Sequence, residues 1–454
     1  MWARYGLIRT NPPSACRAAR LVAGPAVQQA TTATIERSRG SRGLPTAGES
    51  SQARARTPTL LSSTAPAGHR RRADEDGLVK YVPRVALFLA IPAILFIVPW
   101  LTLVGAPTDG TGPLFWLGTA VFLLAFACLS AAMFLGHGPA QSDVAAIVGD
   151  TLLGVAWVVF SWSVIGNIAG LGLAVAGVHD PARSRVVAAG VLAASIALVV
   201  WGIIEARRVP RVRTTEVPIP GLGRGLDGLR LVVVTDTHFA ALDRLGWSER
   251  VVDVVNAQRP DIACHAGDLA DGSVAKRHPQ VDPLGKVEAA LGRFYITGNH
   301  EYFGDAQGWI DHMASIGWTP LHNAHRTVTR GGDRLVIAGI DDPTGVGLPG
   351  HGPDLPTALE GADPSLPVVL LAHQPKQIAA AAAAGVALQI SGHTHGGQIW
   401  PFHYLVRLDQ PVVAGLSRHG ERTQLYTSRG TGFWGPQLRV FAPSEITVLV
   451  LRSV

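Results

Sequence analysis

The segment Ser391-Gly392-His393-Thr394-His395-Gly396-Gly397-Gln398 is the stretch that decides the fold. It directly follows the short apolar run 388–390, which has the composition of a buried strand. Two histidines embedded among glycines at a strand end serve no obvious packing purpose. In open α/β sheets, ligands collect at the carboxyl ends of the strands. The segment therefore predicts a strand end that presents two imidazoles to a ligand.

Four further segments place Asp, His or Asn at the end of an apolar, β-branched run. In chain order they are Asp236-Thr237-His238, Gly267-Asp268, Gly298-Asn299-His300-Glu301 and His373-Gln374. Their runs alternate with helical stretches such as 247–258, which predicts parallel crossovers and an α/β fold. The late strand runs 424–428 and 446–451 indicate a second sheet. We expect five strand ends to deliver these side chains to one site.

The side chains at these ends are suited to a pair of metal ions. Two divalent cations about 3.5–4 Å apart can clamp both the attacking and the leaving oxygen of a phosphoryl displacement. Asp268 is the natural bridge, because it is an acid on a Gly-Asp turn. Asp236 and His238 stand two residues apart, so on an extended strand end they point the same way and can share one ion.

The other ligands follow from the remaining segments. His393 and His395 can supply one ligand to each metal, Asn299 offers an amide oxygen, and His373 adds an imidazole. Such mixed ligation favours Mn, Fe or Zn over Mg and Ca, which prefer shells made only of oxygen. His300 follows Asn299 directly and should point away from that metal, beside the substrate phosphate, where it can protonate a leaving oxygen.

The composition of the 454-residue chain indicates a membrane protein, because 47% of its residues are apolar and only 16% are charged. The formal charge of +6 comes from Arg that clusters in the first residues and beside the apolar spans. This placement fits membrane orientation or anionic lipid better than sequence-specific nucleic-acid binding. No basic patch is interleaved with aromatic residues, so we expect no specific nucleic-acid partner. The three cysteines, Cys16, Cys128 and Cys264, imply no disulfide framework.

The chain divides into four regions. Residues 1–79 are an Arg/Ser/Ala-rich tail without periodicity, which predicts disorder, with an organelle transit peptide as the alternative. Residues 80–205 form the transmembrane region, with about four spans near 85–104, 114–135, 144–178 and 186–204. The third span is interrupted by Gly166, Asn167 and Gly170 and could instead be a helix plus a re-entrant piece. Residues 206–228 are a Pro/Gly/Arg-rich linker, and 229–454 are the catalytic domain.

The side of the membrane on which the domain lies follows from the basic residues beside the spans. Arg207, Arg208 and further arginines follow the fourth span, and four crossings from a cytoplasmic amino terminus would return the domain to the cytoplasm. Arg183 and Arg185 precede the last span and would favour the opposite arrangement. A third span that crosses twice would also place the domain outside. On the count of arginines we expect the cytoplasmic face of the cell membrane.

The ordered set of motifs resembles the calcineurin-like metallophosphoesterase superfamily over residues 229–454. Flanking residues are similar to its membrane-anchored branch, which includes transmembrane proteins with a metallophosphoesterase domain. These residues are 267–272, 339–342, 373–375, 391–399 and 426–432. Phe239 after His238 departs from the Leu that many relatives carry, and we expect it to affect substrate fit. Family members are often placed on the outer face of the membrane, which opposes the count of arginines.

The resemblance implies a fold, a ligand set and an activity. The fold is a four-layer α/β/β/α sandwich of two mixed sheets. One metal would take Asp236, His238, Asp268 and His395, and the other Asp268, Asn299, His373 and His393, with His300 as the catalytic imidazole. We expect a membrane-bound hydrolase that uses a two-metal-activated hydroxide on a phosphodiester, phosphomonoester or pyrophosphate.

The sequence is compatible with three functions: two enzymes with different substrates and one protein with little turnover. A membrane anchor favours a lipid-linked phosphate, such as a nucleotide-sugar lipid. The second alternative is a phosphodiesterase that acts on soluble nucleotides. The third is a metal-bound scaffold or sensor with little turnover, which the intact His300 opposes because a scaffold does not need that imidazole.

Overall fold

The computed structural model of the chain describes residues 93–454. The predicted tail, 1–79, and the first part of the predicted span at 85–104 lie outside the described residues.

Four apolar helices come first in the described part. They are α1 (Ala93–Thr108), α2 (Gly112–His137), α3 (Asp143–Val175) and α4 (Ala182–Arg207). Only α2, α3 and α4 are long and apolar enough to cross a bilayer, which requires about 20 residues. The predicted count of about four spans is therefore slightly high for the described residues, because the described part of the first apolar run forms only a shorter helix.

The third predicted span is one continuous helix of 33 residues, without a re-entrant piece. Its small residues are contact points and do not break it. A Cβ on Gly166 would collide with Val191 of α4, so this glycine lets the two helices approach closely. Asn167 donates from Nδ2 to Thr102 Oγ1 at 2.9 Å, which satisfies its amide within the helix bundle.

The domain that follows α4 contains two six-stranded mixed sheets. The first has the order β1-β12-β2-β3-β4-β5 and the second β10-β11-β9-β8-β7-β6. The strands are β1 (Arg211–Ile219), β2 (Arg230–Val234), β3 (Ile262–Ala266), β4 (Gly292–Ile296), β5 (Thr319–Pro320), β6 (Ala324–Arg330), β7 (Asp333–Gly339), β8 (Val368–Leu371), β9 (Leu388–Ser391), β10 (Gly415–His419), β11 (Thr423–Thr427) and β12 (Glu445–Ser453). Strands β2 to β5 run parallel, as do β7, β8 and β9.

Three apolar clusters show the four layers. Leu231, Val233 and Cys264 of the first sheet pack with Leu371 and Ile390 of the second, so the sheets lie face to face. The outer face of the first sheet is covered by α5, α6 and α7, and the outer face of the second by α8 and α9. The helices are α5 (Leu245–Ala257), α6 (Val274–Val281), α7 (Ala306–Ser315), α8 (Leu355–Leu359), α9 (Ile378–Ala383) and α10 (His403–Val406). The predicted α/β/β/α sandwich is confirmed.

The predicted linker, 206–228, differs from the structure. Arg211–Ile219 forms β1 and pairs in parallel with β12, so it belongs to the first sheet. The strand is at the edge of the sheet and its first four residues are exposed. An edge strand rich in Arg and Thr lacks the apolar run that reveals a buried strand, and its partner is more than two hundred residues away in sequence. Local composition therefore indicated a linker.

The apolar helices α3 and α4 pack directly on the sandwich domain. Val158 of α3 joins Ile399, Leu438 and Val440 in one buried cluster. Around it, Trp157 donates from Nε1 to the Ile399 carbonyl at 3.1 Å. Two further contacts continue the junction: the Gly202 carbonyl of α4 accepts from the Arg439 backbone N–H at 3.0 Å, and Asp143 binds the Arg277 guanidinium at 2.6 and 3.0 Å. The domain is therefore seated on α3 and α4.

Replacing Gly154 with Leu should weaken the packing between α3 and the domain. A Cβ at Gly154 already approaches Leu438 to 2.5 Å and Pro436 to 2.7 Å, so a larger side chain overpacks the junction by about 1–3 kcal/mol. We expect a lower melting temperature and faster proteolysis of the full chain in detergent. Gly172→Leu on the same helix is the control, because no residue of the described part of the chain lies within 4 Å of its Cβ position. Equal melting temperatures for the two variants would contradict the described junction.

Candidate metal centre

The backbone that carries the side chains of the centre has unusual φ angles. Among the seven predicted ligands, five have a positive φ between 43° and 69°, in the left-handed region that non-glycine residues seldom occupy. These are Asp236, His238, Asp268, His393 and His395. All five stand just after a strand, where the chain turns sharply. Such clustering of backbone strain is typical of functional sites.

Glycines allow the loops of the centre to approach one another. Gly267 has a φ of +93°, and a Cβ there would lie 2.6 Å from His373 Nδ1 and 2.7 Å from the Gly298 nitrogen. A Cβ on Gly392 would overlap the Asp236 carboxylate. The Gly before Asp268 and the Gly before His393 are therefore required by space, since any side chain would push two ligand loops apart.

One half of the centre groups Asp236, His238 and His395, whose ligand atoms all lie within 4.8 Å of one another. The Nε2 atoms of the two histidines are 3.0 Å apart, and His395 Nε2 is 3.4 Å from Asp236 Oδ1. All three side chains are buried. These are three of the four residues predicted to share the first metal.

The other half groups Asp268, His373 and His393, also within 4.8 Å. Asp268 Oδ2 lies 3.0 Å from His373 Nε2 and 3.5 Å from His238 Nε2, so this carboxylate stands between the two halves. Asn299 Oδ1 is 2.8 Å from His393 Nδ1. The structure thus brings together all seven predicted ligands.

The donor set fits cations for a specific reason. Among the described residues, the buried Asp236 Oδ2 has no hydrogen-bond partner, and the buried His373 Nε2 lies 3.0 Å from Asp268 Oδ2 without the geometry of a hydrogen bond. Buried polar groups in this situation are costly unless something satisfies them. His373 donates from Nδ1 to the Ala266 carbonyl at 2.8 Å, and His238 Nδ1 lies 3.0 Å from Asp271 Oδ1. Metal-binding histidines are oriented in this way by their second nitrogen, which leaves Nε2 for the ion.

The buried carboxylates at the centre also favour the binding of positive charge. Burial opposes protonation of His373, but Asp268 and Asp236 outweigh it and raise its pKa well above the ordinary value. Burial raises the pKa of Asp236, with Asp268 adding to the effect. Carboxylates so close together attract either protons or cations. Buried His and Asp clusters with this charge balance are consistent with a binuclear metal site.

His300 lies at the edge of this cluster, with its ring 4.6 Å from that of His238 in an edge-to-face arrangement. Its Nδ1 is 2.7 Å from Asp271 Oδ1. Burial works against the charged form of His300, yet Asp271 and Asp268 overcome it and raise its pKa to about 9. The two carboxylates therefore favour the protonated form of this imidazole, the form that can donate a proton.

Sequence reasoning missed two acids. Asp271 binds both His238 and His300 through one oxygen, and Glu301 accepts the backbone N–H groups of Asp268, Leu269, Ala270 and Gly298. Both stand inside quoted motifs, three residues after Asp268 and one after His300, and that proximity was the available signal. Glu301 is fully buried, and burial together with Asp268 raises its pKa to about 8.

Arg439 is a further missed residue. It is fully buried and donates to the carbonyls of Gly432 and Ala442 at 2.6 and 2.8 Å, and its Nη2 lies 3.2 Å from His395 Nδ1. Burial and the charge of His238 and Arg439 hold the pKa of His395 well below its ordinary value, so this ring stays neutral. No local motif surrounds Arg439, so the sequence offered no signal for it.

Phe239 does not have the role expected of it. The side chain is fully buried and packs edge-to-face on Trp247 of α5, in the core between the first sheet and its helices. A large ring at this position therefore fills the core and does not line a substrate surface.

Comparison with known proteins agrees with the geometry. A family model described as calcineurin-like phosphoesterase matches residues 229–397. The chain is 38% identical over 264 residues to a "Transmembrane protein with metallophosphoesterase domain" of Danio rerio, covering 56% of this chain and 60% of that protein. It is 36% identical to a metallophosphoesterase of Campylobacter jejuni, covering 57% of this chain and 68% of that protein. It is 31% identical to the metallophosphoesterase YkuE of Bacillus subtilis, covering 53% of this chain and 86% of that protein.

Replacing Asp271 with Asn should weaken the centre without unfolding the domain. The amide keeps the size of the side chain but loses the charge that orients His238 and His300. Loss of such an outer partner typically lowers activity or metal affinity about 10–100-fold. Asp253→Asn, on the exposed face of α5, is the control and should behave as the wild type. Unchanged turnover and metal content in Asp271→Asn would contradict the orienting role.

Proposed function

Because the chain belongs to the calcineurin-like phosphoesterase family, we propose that it is a membrane-bound, two-metal hydrolase of phosphoric esters or anhydrides. The observation that carries the proposal is the position of the Asp268 carboxylate between two buried groups of ligands. Asp236, His238 and His395 would hold one ion together with Asp268. Asn299, His373 and His393 would hold the second, again with Asp268.

The chemistry divides between the ions and the protein. When bound, two divalent ions of the Mn, Fe or Zn class would activate water and neutralise the charge of a phosphate. The protein's own contribution is to fix the ligands in place through Glu301 and Asp271 and to supply a proton. His300 stands beside the centre with Nδ1 committed to Asp271, so its Nε2 is the atom that would donate to the leaving oxygen.

The junction with the membrane helices supports a lipid-borne phosphate as substrate. Aromatic side chains gather where the domain meets α3 and α4, the pattern that marks the interface between membrane and water. They are Trp157, Trp162, Trp201, Trp400, Phe402 and Phe441, in pairs with ring centroids 5.5–6.3 Å apart. Both acidic residues of α3, Asp143 and Asp150, lie within its first eight residues, at the end that would leave the bilayer.

The active-site rim exposes apolar side chains next to this belt. Segment 402–408 follows Trp400 and carries Tyr404, Leu405 and Leu408, the last of them 84% exposed. Trp434 is also exposed, and its ring lies 6.1 Å from that of His300. A rim of this kind would rest in the headgroup region of the bilayer, so phosphates carried by lipids would reach the centre from the membrane plane.

The test is a metal-supplemented activity screen of the purified full chain in vesicles and in detergent. Substrates should include phospholipids and nucleotide-linked lipids on one side, and soluble nucleotides and aryl phosphates on the other. We expect chelator-sensitive turnover, with lipid-linked phosphates preferred. Preference for soluble nucleotides would favour the second substrate class. Metal binding without turnover of any substrate would favour a scaffold or sensor and contradict the proposal.

Replacing His300 with Gln should leave the metal content nearly unchanged and lower turnover. Loss of a positioned acid typically costs about 10²–10⁴-fold. An activated aryl phosphate should lose less, because its leaving group needs no proton. His278→Gln, an exposed histidine of α6, is the matched control. Equal losses on both kinds of substrate would indicate electrostatic stabilisation in place of proton donation.

A reporter fused after Val454 should be active in the cytoplasm. Arg207 ends α4 on the domain side and Arg208 and Arg211 follow it, whereas Arg183 and Arg185 stand at its other end. Basic residues favour the cytoplasm. A reporter inserted after Val178, in the turn between α3 and α4, should report the opposite compartment. Activity of the terminal fusion only in the exported compartment would overturn this orientation and redirect the search to outer-leaflet phosphates.

A further inference from the structure

A second cluster of metal-ligand side chains lies outside the binuclear centre. It contains His322, Asp341 and His351, whose ligand atoms lie within 4.8 Å of one another. His322 is in the turn between β5 and β6. Asp341 lies two residues after the end of β7, and His351 is in the loop 343–354. Sequence analysis gave His322 no role, and none of the three belongs to the predicted ligand set.

The geometry of the cluster is that of converging donors. His322 Nδ1 lies 2.6 Å from Asp341 Oδ1, and His351 Nδ1 lies 3.7 Å from Asp341 Oδ2. The two imidazole rings are 5.1 Å apart and tilted by 59°. Both rings thus present Nδ1 to the same carboxylate from different loops. Groups that merely cover a core would not need three converging polar atoms.

Hydrogen bonding leaves one of these atoms without a partner. Among the residues that the structure describes, His351 Nδ1 has no hydrogen-bond partner, and it is shielded from solvent because the side chain is only 12% exposed. Asp341 is satisfied on the backbone side, because Oδ2 accepts the Gly352 N–H at 3.1 Å. An orphaned imidazole nitrogen beside a buried carboxylate is the arrangement that a cation would complete.

We propose that His322, Asp341 and His351 bind one divalent transition-metal ion of the zinc class. Two imidazoles and one carboxylate suit Zn²⁺ and similar ions, and three protein ligands leave a fourth position open. Mg²⁺ and Ca²⁺ are disfavoured, because their shells are built from oxygen. His322 is one-third exposed and provides the path by which the ion would enter.

The ion would fasten the loop 343–354 to the end of the second sheet. This loop contains Gly347, Gly350 and Gly352, all with positive φ, and little regular structure. Asn323 already bonds to it, donating to the Gly352 carbonyl at 2.8 Å and accepting the Asp354 N–H at 2.9 Å. An ion bound by both Asp341, at the end of the sheet, and His351, in the loop, would add a second and stronger link between the two.

The bound ion would also restrain the residues next to His300. The His351 ring packs edge-to-face on Tyr302 at 5.4 Å, and the Tyr302 hydroxyl lies 2.9 Å from Thr297 Oγ1. Tyr302 stands two residues after His300. The ion bound by His322, Asp341 and His351 would therefore help to fix the position of the segment 300–302. Its binding does not depend on which phosphate the binuclear centre hydrolyses.

The test is the zinc content of the full-length protein in detergent. Metal is stripped with a chelator, the protein is dialysed against Zn²⁺, loose ions are removed by desalting, and zinc per chain is measured by mass spectrometry. His351→Gln should bind about one equivalent less than the wild type, because a three-ligand site holds one ion. His322→Gln should lose the same equivalent. His325→Gln is the matched control, since its Nδ1 bonds to the Ala358 carbonyl outside the cluster, and it should keep all of the zinc.

A second measurement on the wild-type chain guards against variants that fail to fold. Hydrogen–deuterium exchange of residues 343–354 should slow when Zn²⁺ is added to the stripped protein. Equal zinc content in the wild type and His351→Gln, or loop exchange that is the same with and without Zn²⁺, would overturn the proposal. Loss of the binuclear centre alone would instead lower the zinc content of the wild type and of every variant by the same amount, while added Zn²⁺ would still slow exchange of the loop.

Discussion

The left-handed backbone at five predicted ligands is the constraint on which the rest of the structure depends. For most residues other than glycine this conformation costs roughly 1–2 kcal/mol per residue, and three of the five are histidines. The strain is held because both sheets are anchored face to face by a buried apolar core. Glu301 adds to this by satisfying four N–H groups at the turns around Asp268. Rigid sheets thus force irregular turns to converge on one site.

The membrane helices are part of that same support. Gly202 of α4 accepts the Arg439 backbone N–H, while the Arg439 guanidinium reaches His395 and the carbonyls that follow the centre. Ile399, four residues after His395, packs on α3. The bundle is therefore connected to one ligand loop through two residues, and movement of the helices would be felt at the centre. The apolar helices and the candidate metal centre form one structural unit.

The sequence predicted what is local and missed what is distant. Each candidate ligand motif lies within a few residues of its strand, so the sandwich fold and the convergence of the seven candidate ligands and His300 could be predicted from short segments. Edge strand β1 could not, because its partner is β12 at the other end of the domain. Arg439 has no motif of its own. The glycines of α3 resembled a break because their packing partners on α4 are invisible in one sequence.

The central claim is that Asp268 joins two metal sites at the strand ends. The most direct measurement is an experimental structure of the full chain grown with Mn²⁺, with anomalous diffraction recorded at the manganese edge. The account predicts two anomalous peaks about 3.5–4 Å apart, with an oxygen of Asp268 bound to both. A single peak, or two ions that do not share Asp268, would contradict it.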